Sequence, residues 1–149
     1  MKRLIQIKKS EKGQSLVELS VSILILLLIL VGVIELGNLF YQYIAMREAA
    51  QEGAIYASIY PTACNQTIER IKKGLYVVDP DQVEVEVQVN GSQCHLATQA
   101  DACASKEIIV TVHQPEYKIM VPFLGSVLGK QSLEISAVVT STIIRPPCD

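Results

Sequence analysis

Glu18 is the side chain whose setting most needs a reason. It follows Lys12-Gly13-Gln14-Ser15-Leu16-Val17 and stands directly before the apolar run Leu19–Ile34, which no charge interrupts. At mid-bilayer a comparable acid is unfavourable by roughly 2.5–3.5 kcal/mol, whereas at the inner interface and a helix N-terminus a carboxylate costs much less. Glu18 therefore either caps the start of the helix or waits for a cationic partner, because an isolated buried charge is costly and a paired one is tolerable. Four cysteines, Cys64, Cys94, Cys103 and Cys148, form an even set able to make two disulfides. The two histidines, His95 and His113, have no serine or cysteine nucleophile motif beside them, and there is no Gly-rich phosphate loop. No catalytic residue, metal site or cofactor is expected.

The element that positions Glu18 is a membrane helix. A hydrocarbon core about 30 Å thick needs around 20 helical residues, and Leu16 to Glu35 supplies them. Lys2, Arg3, Lys8, Lys9 and Lys12 precede the segment, and the first basic residue after it, Arg47, is flanked by Glu48 and Glu52. The excess of basic residues places the N-terminus in the cytoplasm and the C-terminal part outside. A cleaved secretory signal is the competing reading, but the apolar run exceeds its usual length and no small-x-small site closely follows. Glu35 falls at the outer bilayer edge, either solvated or paired with a basic group of another membrane component.

Beyond the span, no proline occurs before Pro61, so one helix is expected to continue to about Ser58, projecting some 30 Å from the bilayer. On this half Ala45, Ala49, Gly53 and Ala57 recur every four residues, a stripe of small side chains that permits close backbone approach. It could receive the chain's own sheet, the favoured reading, or a neighbouring subunit's helix. A short amphipathic helix is expected over Gln66–Lys73. Strict alternation predicts strands over 83–89, 108–112 and 133–144, with a turn at Asn90-Gly91-Ser92. The fold class is α+β: a long N-terminal transmembrane helix running into a small domain whose three- or four-stranded antiparallel sheet packs on that helix. Between the last two strands, Tyr117–Gly129 is apolar yet broken by Pro122, Gly125 and Gly129. It either folds back as a lid or exposes Phe123 and Leu124 to a partner or lipid.

Export permits disulfides, and a domain of about 90 residues has little core, so each bridge would add about 2–4 kcal/mol. Of three possible pairings, Cys94 with Cys103 and Cys64 with Cys148 are the expected ones. Zinc is disfavoured, since no cysteine pair has Cys-x-x-Cys spacing. The net charge of −2 is uneven: without residues 1–13 the chain keeps eight basic and fourteen acidic side chains, or −6. Nucleic acid is thereby disfavoured as a partner. Asn65-Gln-Thr67 and Asn90-Gly-Ser92 match a glycosylation pattern and are read as chance.

Gly13 followed five residues later by Glu18, after a basic leader, resembles a type IV prepilin. The resemblance implies cleavage between Gly13 and Gln14 by a prepilin peptidase, and a fresh amine that neutralises Glu18 of a neighbouring subunit. Gly13-Gln-Ser-Leu-Val-Glu18, Glu35-Leu-Gly-Asn-Leu-Phe-Tyr41 and Arg47-Glu-Ala-Ala-Gln-Glu-Gly-Ala54 together resemble the TadE-like pseudopilins of the tight-adherence (Flp) pilus. That family implies other pilin and pseudopilin subunits, the Tad inner-membrane assembly platform and membrane lipid as partners. Gln14 stands where conventional pilins begin with Phe, so N-methylation is not implied; Leu19 and a folded domain argue against the major subunit. The implied organisation is a leader over 1–13, a transmembrane and emergent helix over 14–58, and an extracytoplasmic domain over 59–149. The alternative is a bitopic anchored binding or sensor domain that keeps its tail and never joins a fibre.

Overall fold

The structure is a computed structural model that describes residues 11–121, 125, 129–145 and 147, with the side chains of Glu11 and Lys12 left aside. Helix α1 spans Glu11–Ile59, 49 residues, or about 73 Å at 1.5 Å per residue. Its two halves differ in what surrounds them. From Leu16 to Leu30 every large apolar side chain is exposed, as a lipid-facing helix requires, whereas the second half buries one stripe against the domain.

After the turn at Pro61, helix α2 (Cys64–Gly74) runs back along α1. Its Ile71 is fully buried, and its outer edge is held by Arg70 stacked 4.6 Å over the Tyr56 ring and by the Tyr56 hydroxyl donating to Gln66 Oε1 at 2.7 Å. Four strands follow: β1 (Glu84–Val89), β2 (Ser92–Gln93), β3 (Glu107–Lys118) and β4 (Ser132–Thr142). They form one antiparallel sheet in the order β2-β1-β3-β4. The β1–β2 hairpin turns on Asn90 and Gly91, both at positive φ (50° and 80°), the backbone that such two-residue turns require. The sheet is thus the four-stranded form of the expected layer.

The core lies between sheet and helix. Val87 and Val89 of β1, Ile108, Val110 and Val112 of β3, and Ile135 and Ala137 of β4 meet Met46, Ala49, Ala50 and Ala54 of α1 in one buried cluster. The segment after β4 is tied to the helix end, where Ile144 N donates to the Ser58 carbonyl at 2.9 Å.

Strand β3 runs six residues beyond its expected end at Val112. Opposite β4, Gln114 pairs with Ile135 and Tyr117 with Leu133, so three steps on β3 match two on β4. This is a bulge, and Pro115 sits within it, where a missing N–H is tolerated. Without the extra residue, alternation from inward Gln114 would turn Tyr117 outward. The bulge turns it inward instead, and Tyr117 is buried. Of the Tyr117–Gly129 segment, Phe123 and Leu124 lie outside the described residues, so the expectation placed on them does too.

Candidate functional site

Gly13, Gln14 and Glu18 all lie on α1, near its start, and all three are exposed. Ser22 Oγ donates to the Glu18 carbonyl at 2.8 Å and Ser20 Oγ to the Val17 carbonyl at 2.8 Å, so both serines satisfy their hydroxyls within the helix. The Glu18 carboxylate therefore projects from an apolar helix surface, available to a partner. The Gly13–Gln14 bond is also helical, two residues in from the described start of α1.

At the other end of the span the structure assembles a group that the sequence did not bring together. Glu35 is 9% exposed, and its Oε1 accepts from the Tyr117 hydroxyl at 3.1 Å and from the Met120 N–H at 3.1 Å. The Asn38 side-chain amide donates to the Tyr117 oxygen at 3.5 Å. The carboxylate is thus largely shielded from solvent, which departs from the solvated reading of the sequence. Its charge is met by two donors from the chain's own sheet end, which makes burial tolerable. Burial raises the Tyr117 phenol above its ordinary range, and the Glu35 charge beside it raises it further. Only the odd position of Glu35, just beyond an uncharged run, hinted at this cluster.

The small-residue stripe has a definite use. Ala45, Ala49, Gly53 and Ala57 are all buried. At Gly53 an added Cβ would fall inside van der Waals contact with Ile71 Cγ1, and one at Gly74 would lie 3.2 Å from Ala49 Cβ. The stripe receives α2 as well as the sheet, an occupant that the sequence reading did not include. Small side chains let the two helix backbones approach this closely.

The disulfide pairing differs from the expected one. Cys64 is bonded to Cys94, 30 positions on in sequence, with Cα atoms 5.8 Å apart, and Cys103 is also disulfide-bonded. The expected Cys94–Cys103 and Cys64–Cys148 links are therefore both excluded. The reason is tertiary: α2 starts beside the end of α1, and the hairpin delivers Cys94 to that same end of the domain. Cys148 lies outside the described residues. Among the described residues no cluster of His, Cys, Asp or Glu could hold a metal ion. His113 sits half-exposed in β3, and His95 is exposed in the short turn after β2.

Comparison with curated proteins and with solved structures finds no match. Comparison with family models does, over the segment that carries Gly13, Glu18, Glu35 and the stripe as far as Ala54. Residues 13–54 of this chain match the family described as TadE-like protein, the same family that these residues resemble on inspection.

Proposed function

We propose that the chain is a minor pilin of the Tad (Flp) pilus: anchored through α1, trimmed between Gly13 and Gln14 by a prepilin peptidase, and built into the fibre with other pilin and pseudopilin subunits by the inner-membrane platform. One observation carries the reading. A carboxylate stands five residues past a Gly, at the start of a helix whose apolar residues from Leu16 to Leu30 are exposed all round, within the matched TadE-like segment. Among the described residues such a charge has no ion-pair partner on its own chain, and a neighbour's new α-amine is a suitable one. Each ion is expensive to desolvate alone, so the subunits pack in the one register that pairs them. The role is structural and uses no cofactor, with adherence a property of the assembled fibre.

The test is the intact mass of the membrane-extracted protein. Loss of residues 1–13 is expected. Retention of Met1 would replace this reading with that of a permanently anchored binding domain, and cleavage beyond residue 40 with that of a secreted one.

A further inference from the structure

We propose that the turn Ile119–Val121 is an interfacial foot that rests in the outer leaflet, so that the domain stands on the membrane by two contacts, α1 and this turn. The inference rests on the reading of α1 as a membrane span. Its first support is height. The Met120 N–H reaches Glu35 Oε1 at 3.1 Å, which sets the turn level with residue 35, and the apolar run ends at Ile34. A helix that fills a 30 Å core from Leu16 leaves the bilayer at that level.

The second support is continuity of surface. Ile119 and Leu133 line a small cleft of 90 Å³ together with Gly32, Leu36 and Leu39 of α1. Gly32 lies within the apolar run, so this cleft, lined also by Glu35 and Tyr117, adjoins both the span and the turn. The third is composition. Met120 is 77% exposed, an apolar side chain offered outward at the depth where headgroups meet acyl chains. Its flexible thioether suits an irregular environment. Lys118 and Lys130, both exposed, flank the turn, and their stems can lie along apolar surface while the ammonium groups reach lipid phosphates. Glu116 shares this rim, so net charge adds little and apolar burial carries the contact.

The chain contains no tryptophan, so single-Trp variants of the full-length protein report from one place each. Met120→Trp, Leu26→Trp and Leu96→Trp would be reconstituted separately into phosphatidylcholine–phosphatidylglycerol vesicles whose acyl chains are brominated either near the headgroup or at the chain ends. Leu96 is exposed and lies next to Cys94, which is bonded to Cys64 just past the far end of α1, about 36 Å above Glu35. Met120→Trp should emit to the blue of Leu96→Trp and be quenched at least twofold, more by headgroup-proximal bromine than by chain-end bromine. Leu26→Trp should show the reverse preference, and Leu96→Trp no quenching. If Met120→Trp stays water-like and unquenched while Leu26→Trp is quenched, the foot is wrong and the anchor stands. If Leu26→Trp is unquenched, the anchor falls and the foot with it.

Discussion

Tyr117 and Glu35, 82 residues apart, share a hydrogen bond of 3.1 Å that fastens the lower end of β3 to the point where α1 leaves its apolar run. The bond exists because the bulge at Pro115-Glu116 turns Tyr117 to the helix side, and it couples the sheet to the apolar half of α1, away from the stripe of alanines.

Removing that hydroxyl should loosen the join. Tyr117→Phe leaves Glu35 with the Met120 N–H alone, and a bond to a charged acceptor contributes about 1.5–3 kcal/mol. Thermal unfolding in detergent should show a loss of that order. An unchanged midpoint would mean that water replaces the hydroxyl without cost.

The same phenol sets an alkaline limit. Its pKa is raised in the folded state by burial first and by Glu35 second, so folding favours the neutral form. That contribution is complete below the ordinary phenol value near 10 and is lost as pH rises through the raised value. Ultraviolet titration should find one tyrosine ionising later than the rest, and Tyr117→Phe should abolish that late step.

Acid acts elsewhere. Asp101 accepts from Thr98 Oγ1 at 2.7 Å, Asn90 Nδ2 at 2.9 Å and Thr98 N at 3.1 Å, and these bonds hold its carboxyl below the ordinary range, the Thr98 hydroxyl most of all. Their support is present above the usual Asp value and fades as pH falls through the lowered one. In an NMR titration Thr98→Ala should move Asp101 back up; no movement would assign the shift to the remaining donors.

Gly53→Ala tests the helix–helix approach. Alanine gains about 1 kcal/mol of helix propensity, but overpacking against fully buried Ile71 costs about 1–3 kcal/mol, so a net loss of up to about 2 kcal/mol is expected. Adding Ile71→Val should recover part of it. A gain in stability from the single variant would show that Ile71 has room to move.

A non-reducing peptide map should join the Cys64 and Cys94 peptides, and should place Cys103 with the remaining cysteine, Cys148. Replacing Cys64 and Cys94 by alanine releases a 30-residue loop and should cost about 3–4 kcal/mol on chain-entropy grounds. A Cys94–Cys103 peptide would overturn the pairing.

Glu18→Ala should leave membrane insertion and trimming intact while removing the protein from sheared fibres. Normal amounts in those fibres would show that the carboxylate does not set the packing register.

The long apolar helix, the valine alternation of β1 and the α+β layer were legible in the residues, because each follows from a local period: an unbroken apolar run, two-residue alternation, or small side chains every fourth place. Glu18 stands out in the residues for the same reason, as one charge at the edge of an apolar run. Three things were decided only by folding. The Cys64–Cys94 link depends on where α2 and the hairpin meet, the last part of β3 survives Pro115 through a bulge, and Glu35 is answered by Tyr117 and Met120 from the far end of the chain. Each is a meeting of segments separated by 30 residues or more, or a one-residue shift of strand register, and no local pattern encodes which distant group will arrive.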